Sequence, residues 1–243
     1  MTRVVIGSRN RVLATADTRF VSGGSLVTDF ARHRALFDGA EAIVWAWYAS
    51  HGGQPELEAT LRGTEAILAG LAPLGLPLVF LSTDAVFSGL EGHYREDDLP
   101  DPQTAYGRVK RAQEQLLADF ARVRFTTFGP SYNAERPLLV EMIRAGSATV
   151  DRPRQFFSPI STTTLNRCLD GIIAAKGPPR IYHLTSERIS KVDCCRRLAD
   201  AAHVALPAER TSDDTPLDLS LASATHAFSL ADEIALATAT VLS

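Results

Sequence analysis

Residues 78–81, Leu-Val-Phe-Leu, followed at once by Ser82-Thr83-Asp84, constrain this chain more than any other stretch. A short apolar run of this kind reads as a strand buried on both faces, as inside a parallel sheet. Polar residues at its carboxyl end sit where open parallel sheets carry their chemistry. An acidic, proline-bearing loop follows, and then Tyr106-Gly-Arg-Val-Lys110 opens a helix. A spacing of four puts the Tyr106 and Lys110 side chains on one helix face, a turn apart. An ammonium beside a phenol favours the phenolate, so the pattern predicts a Tyr106 pKa below the usual value of about 10. Tyr106 is thereby a candidate acid–base group, with Thr83 able to share a hydrogen bond to the same substrate oxygen. Tyr-x-x-x-Lys alone is a weak signal; the strand-end Ser-Thr-Asp ahead of it supplies the weight.

With 243 residues, 45% of them apolar, the chain can bury one sizeable core with a small appended lobe. Its net charge of -3 argues against a general nucleic-acid binder, which would usually be basic. No charged-then-apolar leader opens the sequence and no apolar run approaches a membrane span, so the expectation is a soluble cytoplasmic protein without a membrane partner. Cys194 and Cys195 are adjacent and Cys168 stands alone, a pattern that fits ordinary helix thiols in a reducing compartment. The histidines at 33, 51, 93, 183, 203 and 226 lack ligand spacing, and no metal site is expected.

Taken in order, residues 3–6 read as a first strand ending at Gly7. A dinucleotide-binding fold then needs a glycine-rich turn and a helix whose N-terminus receives a pyrophosphate. The sequence offers one glycine, then Ser8-Arg9-Asn10-Arg11, and reaches the next strand at 18–21 after about ten residues. A parallel crossover usually needs a dozen or more, so the first helix is expected to be missing or reduced to a turn. Asp29 reads as the N-cap of a helix over 30–37. Residues 42–47 form a buried strand ending in Trp45-Ala46-Trp47-Tyr48, and 55–71 a helix. The Tyr106 helix is expected to run to about 121. Strands over 123–128 and 181–184 and helices over 138–145, 162–175 and 191–202 complete the pattern.

The stretches STDAVFSG and YREDDLPDPQTAYGRVKRAQEQL resemble the extended short-chain dehydrogenase/reductases, most nearly the dTDP-4-dehydrorhamnose reductase branch. The likeness is specific over about residues 40–130 and weaker to about 225. It implies an α/β, Rossmann-like, doubly wound parallel sheet with a small C-terminal substrate-binding lobe, here with the first βαβ unit shortened. The core would take about 1–133 and 160–185, and the lobe 134–159 and 186–243, within a single domain. The resemblance also implies Thr83, Tyr106 and Lys110 as catalytic residues, with Ser82 and Asp84 beside the substrate. Phe128, in a Phe-Gly-Pro turn, would join them, as would Arg152 and Arg154, whose guanidiniums suit phosphate or carboxylate. Likeness to the short-chain dehydrogenases would also place the amphipathic face of the Tyr106 helix at a homodimer contact.

The cofactor half of the pattern departs from the family at three points. The glycine turn is lost, Ser25 stands where an acidic residue is expected near the adenine end, and Trp45, Trp47 and Tyr48 replace small residues. Those aromatics either fill the cofactor's space or pack the core, and both reduce room for a nicotinamide. The first expectation is therefore an acid–base enzyme with no cofactor, which isomerises, eliminates, cyclises or performs an aldol-type step on a polar metabolite or sugar nucleotide. The alternative is an NADPH- or NADH-dependent keto-sugar reductase, with Gly7, Arg9 and Arg11 meeting the cofactor phosphates. A non-catalytic binding or regulatory subunit is the third reading, since folds outlive chemistries.

Overall fold

The computed structural model describes residues 1–7, 13, 17–51, 54–129, 139–146, 149–150, 154–205, 208–209 and 215–239. Strands β1 (Arg3–Ile6), β2 (Thr18–Val21), β3 (Ala42–Trp45), β4 (Leu78–Leu81), β5 (Ala121–Arg124) and β6 (Ile181–His183) form one sheet, in the order β6-β5-β4-β3-β1-β2. Every pairing in it is parallel. Alternation within each strand divides the core into two layers. Val4, Ile6, Ile43, Trp45, Leu78 and Phe80 face one side, with Leu26, Ile67, Leu71 and Leu117. Val5, Ala42, Val44, Val79, Leu81 and Val123 face the other, with Leu165, Leu169, Ile172 and Ile173. A sheet covered on both faces has to be built from near-continuous apolar strands, and β1, β3 and β4 are buried throughout.

The first layer is covered by helices α1 (Gly23–Thr28), α2 (Phe30–His33), α3 (Leu57–Leu71) and α4 (Ala105–Leu116). Asp29 caps α2 as expected, its carboxylate accepting from the Arg32 amide at 3.1 Å. The helix anticipated over 30–37 is shorter, passing into a 3-10 turn at Arg34–Phe37, and α1 precedes it. The buried strand anticipated over 42–47 stops at Trp45. Helix α4 ends at Leu116 rather than near 121, because Ala121 already belongs to β5. The strand expected over 123–128 is two pieces, β5 and Thr127–Gly129, and the second leaves the main sheet to pair with Ile160–Ser161.

Helices α5 (Leu139–Arg144), α6 (Thr162–Ala175), α7 (Lys191–Ala202) and α8 (Leu230–Ala239) complete the described chain. Helix α6 covers the second sheet layer, while α5, α7 and α8 enclose a separate apolar cluster with Phe128, Phe157 and Ile189. Cys194 and Cys195 lie in that cluster, and burial raises both thiols, Cys195 to about 11. The expectation of a shortened first helix falls on residues 8–16, outside the described residues apart from Leu13. Among the described residues no helix is long and apolar enough to cross a membrane.

Candidate active site

The site is built where β4 ends and α4 begins. Thr83 leaves β4 in extended conformation and caps a 3-10 turn, Asp84–Val86, its hydroxyl accepting from the Ala85 amide at 3.2 Å. Thr104 caps α4 in the same manner, accepting from Gly107 at 2.9 Å. The two caps meet at Gly107, where a Cβ would stand 2.0 Å from the Ala85 carbonyl oxygen. Only a residue without a side chain lets α4 approach the turn this closely, and the approach sets Tyr106 beside Thr83.

The Thr83 hydroxyl neighbours the Tyr106 phenol and donates to Asp84 Oδ1 at 3.0 Å. Thr126 donates to the other Asp84 oxygen. Burial raises the Asp84 carboxyl above its usual range, against the stabilising hydrogen bonds from Thr126 and Thr83. Tyr106 is pushed well above the ordinary phenol value, first by burial and then by Tyr48 and Asp84. Tyr48 meets it edge-on, with ring centroids 5.5 Å apart.

Lys110 makes its contacts away from the phenol. Its Nζ turns toward the sheet, donating to the Leu81 carbonyl at 2.5 Å and lying 4.4 Å from the centre of the Phe80 ring. Burial lowers its pKa to about 7, against the opposing charge of Glu114. A lysine so placed does not draw Tyr106 toward phenolate. The surroundings of Tyr106 favour its protonated form.

Ser82, Asp84 and Thr83 are brought together as expected, but Ser82 turns inward. Its hydroxyl donates to Glu114 Oε1 at 2.6 Å. Glu114 and Arg124, both fully buried, form a bidentate pair at 2.8 and 2.9 Å. Burial alone would raise the Glu114 carboxyl; Arg124, Ser82 and Arg111 hold it below its usual value. His183 extends this network. Its Nε2 lies 3.4 Å from Arg124, while Nδ1 faces the Tyr94 and Ala222 carbonyls at 3.0 and 3.1 Å. Two acceptors at Nδ1 and a cation at Nε2 require the neutral ring protonated on Nδ1, and burial with the Arg124 charge lowers the His183 pKa accordingly. Glu114, Arg124 and His183 went unnoticed in the sequence, where a charged residue inside a periodic pattern reads as surface.

Phe128, expected beside the substrate, is 1% exposed inside the α5–α7–α8 cluster. Arg154 is exposed, and Arg9, Arg11 and Arg152 lie outside the described residues. Gly7 closes β1 and faces Ala46, where an added Cβ would meet the Ala46 Cβ at 3.3 Å. Trp45 is wholly buried in the first core layer. Trp47 is half-buried, its indole lying between α1 and α3. Among the described residues, no group of three or more His, Cys, Asp or Glu side chains could hold a metal ion.

A doubly wound parallel sheet with a strand-end Thr-Asp and a Tyr–Lys helix defines the extended short-chain dehydrogenase/reductase class. Within that class, residues 53–219 match the RmlD substrate binding domain family, and the chain belongs to it. It is similar to methionine adenosyltransferase 2 subunit beta of Xenopus laevis, 39% identical over 98 residues, which cover 38% of this chain and 27% of that protein. The chain therefore matches well under half the length of that relative. Its fold is shared with a dTDP-4-dehydrorhamnose reductase from Clostridium acetobutylicum, at a TM-score of 0.76 and 17% identity over 100% of both chains. It is also shared with the Bacillus anthracis dTDP-4-dehydrorhamnose reductase solved in complex with NADP, at 0.71 and 20% identity over 92% of this chain and 90% of that one.

Proposed function

We propose that this protein is an enzyme acting on a sugar nucleotide or a related polar metabolite, in which Tyr106 and Thr83 stabilise and protonate a substrate oxygen without a resident nicotinamide. The observation that carries this reading is the close approach of α4 to the turn after β4 at Gly107, which sets Tyr106 beside Thr83 in surroundings whose burial raises the phenol. A donor with a raised pKa, held by packing, favours an oxygen that gains negative charge as the reaction proceeds. Thr83 fixes the phenol and offers a second contact to the same oxygen. Isomerisation, elimination, cyclisation and aldol-type steps share this requirement. The cofactor-free part of the reading is supported by the indole in the crevice and by the single glycine after β1.

The rival reading, an NAD(P)-dependent keto-sugar reductase, is favoured by the NADP complex of the Bacillus anthracis protein. A regulatory subunit without catalysis is favoured by the similarity to methionine adenosyltransferase 2 subunit beta. Titration of the folded protein with NADPH and NADH separates the first two. No binding up to millimolar cofactor is expected, and micromolar binding would return the protein to the reductases. Tyr106→Phe separates the third: an enzyme loses turnover on its substrate, whereas a subunit keeps its effect on a partner.

A further inference from the structure

The sheet order reverses between β1 and β3, since the chain leaves β1 for β2 on one side and leaves β3 for β4 on the other. In open α/β sheets, the crevice outside the strand ends at such a point is where ligands bind. Trp47 stands in it. The residue lies two positions beyond the end of β3, and its ring reaches Gly23, two positions beyond the end of β2. A Cβ at Gly23 would stand 2.2 Å from the Trp47 Cγ, and one at Gly63 on α3 would stand 2.5 Å from its Cη2. Each end of the indole is thus received by a glycine, one from each flanking helix. The backbone is fixed as well. The Trp47 carbonyl accepts from Trp45 Nε1 and from Gln113 Nε2, both at 3.0 Å, and the same Gln113 amide reaches Thr64 at 3.1 Å.

We infer that Trp47 is a resident plug, its indole holding the slot between Gly23 and Gly63 that would otherwise receive the flat bicyclic base of an adenine nucleotide. The slot suits a planar aromatic because a glycine from each helix lets the ring approach the backbone at its two ends, with the Val27 side chain beside Gly63. Indole and adenine share that shape. A dinucleotide does not fit while the plug is in place, and the disagreement lies in one side chain. This inference rests on the cofactor-free reading above and gives it a physical cause.

The test uses the full chain with Trp47→Ala and, where the alanine variant loses its fold, Trp47→Leu, which removes the ring but keeps apolar contact. ADP, AMP and NADPH are titrated by calorimetry, with UDP as control, and thermal melts report folding. The expected result is no detectable adenine-nucleotide binding by the unmodified protein, with a gain of at least about tenfold in affinity for ADP and AMP in the variants and no gain for UDP. Folded variants that bind ADP no better than the parent would overturn the plug and leave the cofactor-free reading standing. Micromolar NADPH binding by the unmodified protein would overturn both.

Discussion

The ends of β3 and β4 lie side by side in one sheet and solve opposite problems. At the end of β4 the chain exposes hydroxyls and a carboxyl to one another, and its groups are paired: Thr83 with Asp84, Ser82 with Glu114. At the end of β3 it sends out aromatic rings, one into the core, one into the crevice and one against Tyr106. The polar end gathers hydroxyls and a carboxyl, and on the reading proposed above the aromatic end fills space where a neighbouring ligand would lie. The two strand ends are nonetheless tied together, because Gln113 on α4 donates to the Trp47 carbonyl beyond β3 and Tyr48 packs edge-on against Tyr106.

That contrast can be broken from the polar side first. Tyr106→Phe removes the donor and should lower turnover by about 10²- to 10⁴-fold, with thermal melting little changed, as steady-state kinetics on the identified substrate will show. Next in size is Glu114→Ala, which leaves Arg124 charged and buried without its main partner. Urea unfolding should register a loss of about 3–5 kcal/mol. Gly107→Ala drives a methyl into the Ala85 carbonyl and pushes α4 off the turn, at a cost of about 1–3 kcal/mol and with a larger relative loss of turnover than of stability.

The smallest effect sharpens the account of Lys110. Its folded pKa lies near 7, below that of the unfolded chain, so between pH 7 and its ordinary value the unfolded state binds the extra proton. Stability should rise with pH from 7 toward 9 by at most about 1.4 kcal/mol per unit from this group. Lys110→Met should flatten that slope in parallel urea titrations. An unchanged slope would assign the pH dependence to other groups.

Where periodicity and a capping hydroxyl agree, the sequence was legible to the residue. Helices 162–175 and 191–202 begin after Ser161 and Ser190, each of which accepts from the amide three positions on. Thr83, Asp84 and Tyr106 were legible for a related reason: strand end and helix start are local features, and the contact between them follows from the sheet. Lys110 was placed on the correct helix but in the wrong direction, since spacing fixes a face and says nothing of what the ammonium finds there. The Glu114–Arg124 pair joins a helix to a strand through tertiary packing alone. Phe128 was drawn toward a substrate by its Gly-Pro neighbours, whereas the strand turns its ring into the α5–α7–α8 cluster. Helix α8 escaped notice, although Leu230, Ile234 and Ala237 trace a buried stripe along it.

The placement of the two tryptophans has an optical consequence. Trp45 is sealed in the core and Trp47 sits half-buried at the crevice, and the chain has no third. Emission from such a protein should divide into a fraction that a small dissolved quencher cannot reach and a fraction that it can. The protein thus carries its own lamp at the mouth of the crevice, with a shielded reference lamp a few residues away.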